Sequence, residues 1–276
     1  MALDINTNIA SINAQVHLAQ SGDALNTALE RLSSGVRINN AYDDAAGLAI
    51  ADKLNRDSQV AGQAIRNAND GISALSIGEK ALGNVGDILS RLSELASQSA
   101  SGTLTDTQRS AIQNEFGALL SEVARISTVT TFNGVQLLSA GTTVALQVGL
   151  DGTSNSQISF TTVDGSVSGI LSVSQTSIAA STAASAQSAL GLLTSAIANV
   201  ANTRGVLGAA ESRLLQAIAN LQTAQENFDA AEGRIRDTDV AAETANLTRA
   251  SVLQQAGVAV LAQANQQPSL ALQLLR

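Results

Sequence analysis

The chain has 276 residues, a formal net charge of −8, no cysteine and no tryptophan. Aromatic residues make up 2% and charged residues 14% of the sequence, so there is little with which to line a ligand pocket and no basic cluster of the kind that nucleic acid requires. Without cysteine, stability must come from packing or assembly. These properties exclude a nucleic-acid partner and disfavour an enzyme.

Apolar residues near the N-terminus recur at spacings of three and four, which predicts amphipathic helix. They are Ile5, Ile9, Ile12 and Val16 and, after a change of phase, Leu25, Leu29, Leu32 and Val36. Ser33-Ser34-Gly35 is a typical helix stop. The adjacent carboxylates Asp43 and Asp44 then allow two interpretations, helix capping or acid–base chemistry. Their position at a helix start, with no pocket indicated, favours capping.

The pattern next predicts helices over about 44–98 and about 105–130, the second capped by Thr105 or Asp106. Five glycines weaken the first of these helices. The apolar period then changes from helical to alternating, at Val144–Leu150 and again at Ile158 and Phe160. This alternation predicts a β-hairpin within about 139–170, surrounded by turns and surface loop.

A long helix is predicted over about 186–235, because apolar residues recur there at every seventh position. They are Leu193, Val200, Leu207, Leu214, Leu221, Phe228 and Ile235. Val240, Leu247 and Leu261 keep the same spacing in a last helical segment, which also contains Leu253, Val258 and Val260. The predicted fold is therefore mainly α: a long antiparallel helical bundle or coiled coil with a small β-hairpin region at its far end. The N- and C-terminal helices are expected to pair.

Neither a site for a cofactor nor a membrane segment is predicted. His17 is the only histidine, and with no cysteine or second histidine to share a site it is better explained as a polar helix residue than as a metal ligand. The sequence contains no run of eighteen apolar residues. Its first residues also lack the basic region, apolar core and cleavage site of a secretory signal. We expect no cofactor, no metal and no membrane insertion.

Several long blocks of the sequence resemble bacterial flagellin. Glu30–Leu54, Arg66–Leu75, Ser90–Thr105 and Thr130–Leu138 look like its N-terminal part, and Ser251–Arg276 looks like its C-terminal signature. Only some 45 residues separate the two parts, so the chain resembles a minimal flagellin with just the two inner domains. The resemblance implies a terminal coiled-coil domain, 1–43 with 236–276, that lines the inner tube of the filament. The rod domain would be 44–235.

The resemblance also implies the function and the partners. It predicts a non-enzymatic structural subunit of the flagellar filament that forms a homopolymer, is secreted through a type III apparatus without a cleaved signal, and remains extracellular. Implied partners are an export chaperone, the filament cap and the hook–filament junction proteins. The hook–filament junction protein itself, which shares the design of the end helices, is the alternative identity. The Ser/Thr-rich run 172–188 has two equally good interpretations. It carries O-linked sugars, or it is an ordinary solvated loop and helix start.

Three groups of residues are predicted to carry this function. By resemblance, Arg91, Leu95 and Glu115 serve axial packing between subunits and, in monomers, recognition by toll-like receptor 5, although Leu95 also fits the core pattern of its helix. Arg31, Arg37, Asp43 and Asp44 are expected at the junction between the two domains, where substitution would alter filament shape. The apolar positions of the terminal helices are expected to drive polymerisation: Ile5, Ile9, Ile12, Val16, Leu25, Leu29, Leu32, Leu247, Leu253, Val260 and Leu261.

Overall fold

The structure is a computed structural model that describes residues 7–139, 141–171 and 179–274, with side chains described as far as 266. Its helices are α1 Ile9–Ser34, α2 Ala45–Ala100, α3 Asp106–Val129, α4 Val167–Leu171, α5 Ala183–Arg236 and α6 Val240–Leu274. Its strands are β1 Thr131–Phe132, β2 Val135–Gln136, β3 Thr143–Gln147 and β4 Gln157–Thr161. The predicted fold class, long antiparallel helices with a small β region, is confirmed.

The helix ends follow the local sequence signals. α1 ends where Gly35 takes a left-handed conformation, with φ 76°, and donates its N–H to the carbonyl of Arg31. Asp44 caps α2, because its side chain accepts a hydrogen bond of 2.8 Å from the N–H of Gly47. Thr105 caps α3 in a capping box with Gln108. Despite its glycines, α2 is one continuous helix.

The predicted hairpin is formed by β3 and β4, which pair antiparallel with Val144 opposite Phe160 and Leu146 opposite Ile158. Two elements nearby were not predicted. β1 and β2 form a second, very short hairpin around Asn133-Gly134, both with positive φ, which is the dipeptide that a tight two-residue turn favours. α4 lies in a stretch expected to be strand, turn and loop. Its Val167, Ile170 and Leu171 are buried, so packing decides its conformation.

The chain divides into two compact units, and α2 and α5 contribute residues to both. The terminal unit comprises Met1–Arg56 and Asn227–Arg276, and the central unit comprises Asp57–Glu226. The sequence predicts domain limits at 43/44 and 235/236 instead, where one long helix is expected to begin and another to end. The boundaries between the two observed units, at 56/57 and 226/227, lie inside α2 and α5.

α2 and α5 pack antiparallel through the core of the central unit. Along α2, Gly62 lies beside Gln225, Gly78 beside Leu207 and Gly86 beside Val200, so the partner's residue number falls as that of α2 rises. Glu79 and Arg204 join the same two helices by an ion pair. The heptad positions of α5 that lie in this unit are buried, as the pattern predicts: Leu193, Val200, Leu207, Leu214 and Leu221.

Two further contacts of the central unit hold its smaller elements in place. Leu146 of the β3–β4 hairpin packs directly over Gly71 of α2, where a Cβ atom would collide with the leucine side chain. Arg109 of α3 is buried and donates to the carbonyl groups of Ser99, Ser101 and Leu104, thereby fixing the turn between α2 and α3. An arginine buried in this way has no signature in the helical period and is not predicted from the sequence.

Candidate functional site

Small residues join the two terminal helices. Ser11, Ala14 and Ala28 of α1 are buried, as are Ala250 and Ala264 of α6. Asn8 donates a hydrogen bond of 2.9 Å to the carbonyl of Ala264, and the hydroxyl of Ser11 donates one of 2.8 Å to Asn265. The pairing of the N- and C-terminal helices is thus observed, and Leu18, which lies beside Gly257, adds a large apolar side chain to it.

Six of the ten described apolar residues that are predicted to drive assembly are exposed. Ile9, Ile12 and Val16 are 62%, 51% and 50% exposed. Leu29, Leu253 and Val260 are also exposed, whereas Leu25, Leu32, Leu247 and Leu261 are half-buried; Ile5 lies outside the described residues. Large apolar side chains left exposed along a helix mark an interaction surface. Their full burial requires another molecule.

A groove of about 770 Å³ runs between α1 and α6. One part of it is apolar, lined by Ala14, Ala24, Leu253, Gly257 and Val260, and the other part is polar, lined by Arg31, Glu243 and Arg249. His17 also lies on its wall. Glu243 is buried, and the Nε of Arg31 is buried without a hydrogen-bond acceptor. The two faces of α1 therefore differ: one carries the exposed isoleucines and the other borders this groove.

The segment after α1 is held by hydrogen bonds to the end of α5 and to the link between α5 and α6. Val36 forms a β-bridge with Asp237, and the N–H of Thr238 donates to the carbonyl of Gly35 over 3.0 Å. The guanidinium of Arg37 donates to the carbonyl of Ile235 over 2.8 Å. An isolated bridge of this kind produces no periodicity in the sequence, so it is not predicted from the sequence.

The remaining residues predicted for the domain junction stabilise this same segment. Asp43 accepts hydrogen bonds from the backbone N–H groups of Asn39 and Asn40, and Asp44 caps α2. Together with Arg31 and Arg37, both belong to the terminal unit. Hydrogen bonding to the backbone accounts for the two carboxylates without any acid–base chemistry. Their influence on filament shape stays a prediction.

The structure separates the three residues predicted for axial packing. Arg91 and Glu115 form an ion pair of 2.9 Å between α2 and α3, and their side chains are 50% and 48% exposed. Hydrogen bonds to Glu115 and then to Glu94 raise the pKa of Arg91. Leu95 is only 2% exposed and belongs to the core of the central unit. Arg91 and Glu115 are therefore available to a partner, whereas Leu95 is not.

Comparison with known proteins identifies the family. Residues 5–143 match the N-terminal helical region of bacterial flagellin, and residues 190–275 match its C-terminal helical region. The chain is 42% identical to a flagellin of Halalkalibacterium halodurans over 276 residues, covering 99% of both chains. It belongs to the bacterial flagellin family. Family members similar to it include a flagellin of Bacillus subtilis, 37% identical over 302 residues and covering 99% of both chains.

A solved flagellin structure shares part of this architecture. The crystal structure of Bacillus cereus flagellin is 26% identical and superposes with a TM-score of 0.50, covering 56% of this chain and 88% of that one. In the described part of this flagellin-family chain, no three His, Asp or Glu side chains are grouped to hold a metal ion. None of the helices described has an apolar stretch that would span a membrane.

Proposed function

We infer that the chain is a structural subunit of the bacterial flagellar filament and that it polymerises through its terminal helices, with no catalytic activity. One observation carries this proposal: although α1 and α6 pair with each other, Ile9, Ile12 and Val16 stay exposed. Membership of the flagellin family supports the formation of a homopolymer. The exposed apolar face of α1 gives a physical reason for it. No observation favours the hook–filament junction protein.

The exposed apolar face of α1 also supports coupling between folding and assembly. Ordering a residue costs about 1–2 kcal/mol of backbone entropy, and apolar side chains that stay exposed recover little of that cost by burial. A second copy that covers Ile9, Ile12 and Val16 supplies the missing apolar burial. We therefore place the inner tube of the filament at 1–43 and 236–276, and the surrounding rod at 44–235.

The proposal includes the export route and the partners. The chain leaves the cell through the type III apparatus without signal cleavage, and it meets an export chaperone, the filament cap and the hook–filament junction proteins. Family membership alone supports these assignments. For axial packing and for toll-like receptor 5, the exposed ion pair of Arg91 and Glu115 is the supporting observation. Because Leu95 is buried, we assign it a supporting role.

Seeded growth tests the proposal. Purified monomer is added to short filament fragments of the same chain, and elongation is followed by electron microscopy. We expect the intact chain to elongate the seeds and chains lacking residues 1–20 or 257–276 to fail. Gly117→Ala is the matched control: this α3 position in the central unit has open space beside it, so elongation should persist. Elongation by the truncated chains would refute assembly through the terminal helices.

A further inference from the structure

Asn133 and Gly134 form the turn between β1 and β2, and this is the only Asn-Gly pair in the sequence. Their φ angles are 48° and 80°. Both residues are exposed, and a Cβ atom on Gly134 would meet nothing within 4 Å. The turn therefore places a side-chain amide directly before a backbone nitrogen that no side chain shields.

Both of these groups are free of hydrogen bonds. Among the residues that the structure describes, neither the side-chain amide of Asn133 nor the N–H of Gly134 has a hydrogen-bond partner. An N–H that donates to a carbonyl has to lose that hydrogen bond before its nitrogen can react with a neighbouring group, and breaking the bond costs free energy. At Gly134 this protection is missing, and water reaches both groups.

The other asparagines that the structure describes are mostly protected. Most lie inside long helices, where the N–H of the next residue donates to the carbonyl four positions before it. Asn155 is the nearest match to Asn133, because it is exposed in the loop between β3 and β4 and precedes a small residue, Ser156. The N–H of Ser156, however, donates to the carbonyl of Thr153 over 3.0 Å. Asn155 is therefore an internal control for Asn133.

We propose that Asn133 is a site of spontaneous deamidation in the folded chain. The backbone nitrogen of Gly134 attacks Cγ of Asn133, and the new C–N bond closes a succinimide ring. The bond from Cγ to the side-chain nitrogen breaks, and this nitrogen leaves as ammonia together with the proton from Gly134. Water then opens the ring at one of its two carbonyl groups, which gives aspartate or isoaspartate. The steps need water and neither an oxidant nor a reductant.

The short hairpin allows this reaction without global unfolding. The attack requires rotation about the backbone of Asn133, so the turn has to open locally. The hairpin pairs Thr131 with Gln136 and Phe132 with Val135. A hairpin this short is marginally stable by itself, and segments with few contacts open at a small cost in free energy. We therefore expect deamidation to proceed from the folded chain.

The two products affect the hairpin differently. Aspartate tolerates a positive φ much as asparagine does, so it preserves the turn and adds one negative charge. Isoaspartate lengthens the main chain by one methylene group, which a two-residue turn does not accommodate. Phe132 and Val135 line a cavity of about 80 Å³ together with Gly71 of α2. Formation of isoaspartate should therefore loosen the hairpin from α2.

Ageing of the purified full-length monomer tests the proposal, and it needs no filament, so its result is independent of the proposed function. The monomer is kept in mildly alkaline buffer, and deamidation at each asparagine is followed by peptide mass spectrometry as a gain of one mass unit. A parallel sample in concentrated urea gives the rate in the unfolded chain. We expect the folded chain to deamidate faster at Asn133 than at Asn155. The rate at Asn133 should also lie within about tenfold of that in urea, which corresponds to local opening that costs no more than about 1.4 kcal/mol.

Two results would overturn the proposal. One is folded-state deamidation at Asn133 that is no faster than at Asn155, and the other is a rate at Asn133 more than about tenfold below that in urea.

The effect of isoaspartate is measured against Asn133→Asp, which carries the added charge on an unmodified main chain. The N–H of Leu137 donates to the carbonyl of Thr130 over 3.1 Å at the base of the hairpin. In aged chains that contain isoaspartate, this N–H should exchange with deuterium faster than in Asn133→Asp. Equal exchange in the two would contradict the loosening of the hairpin.

Discussion

Replacing Ile12 by alanine tests whether the exposed face of α1 becomes buried between copies. Ile12 is 51% exposed in the single chain, so about half of its side chain remains for a partner to cover. Alanine favours helix more strongly than isoleucine does, so α1 itself is not weakened. The substitution therefore separates assembly from the stability of the subunit.

The size of the effect follows from the exposed fraction. Ile12→Ala removes three carbon atoms, which are worth about 2.4 kcal/mol if fully transferred from water to an apolar contact, at about 0.8 kcal/mol each. Half of that, about 1.2 kcal/mol, is available on assembly. Because about 1.4 kcal/mol is a tenfold change in an equilibrium constant, the critical concentration for growth should rise about sevenfold.

The assay measures the monomer that remains in the supernatant after seeded filaments have been sedimented at equilibrium. Val206→Ala is the matched control, because Val206 is 57% exposed on α5 in the central unit, outside the terminal helices. We expect little change for this control, and thermal unfolding of both monomeric variants close to that of the unmodified chain. A critical concentration for Ile12→Ala within twofold of the unmodified value would show that assembly does not bury this residue.

Three further predictions concern the central unit. Gly71→Ala should lower the melting temperature, because its Cβ would collide with the hairpin, while Gly117→Ala, with open space beside it, should stabilise by about 0.5–1 kcal/mol in chemical denaturation. Arg109→Met should cost about 3 kcal/mol of unfolding free energy, since it leaves three backbone carbonyls without their charged donor. Hydrogen bonds, chiefly from the Ser156 hydroxyl, lower the pKa of Asp151 in the folded chain. The stabilisation that its carboxylate gives to the folded state is therefore present above the unfolded pKa of about 3.9 and is lost as pH falls through the lower folded value. The amide signals of β3 and β4 in NMR should shift only in that acid range.

The sequence predicted those parts of the fold that depend on periodicity or on local caps. The seven-residue pattern from Leu193 to Leu221 located the buried side of α5, and Gly35 and Thr105 marked helix limits through backbone conformation and capping. Alternation located the β3–β4 hairpin. Each of these signals depends on residues that are close together in the sequence, so it can be recognised from the sequence alone.

The parts that were not predicted depend on contacts between distant segments. Arg109 is buried because three carbonyl groups converge on it, and α4 is helical because its apolar residues pack into the core. The bridge between Val36 and Asp237 joins residues about two hundred positions apart. For the candidate site, spacing selected the terminal helices, but only the structure distinguished the exposed Ile12 from the buried Leu95.

The central claim is that copies of this chain bury the exposed apolar face of α1 against one another. An electron cryomicroscopy reconstruction of filaments grown from the unmodified chain, at a resolution that shows side chains, measures this directly. The account predicts that Ile9, Ile12 and Val16 of each copy are covered by a neighbouring copy, with the terminal helices lining the inner tube. A filament in which these three side chains face solvent would contradict it.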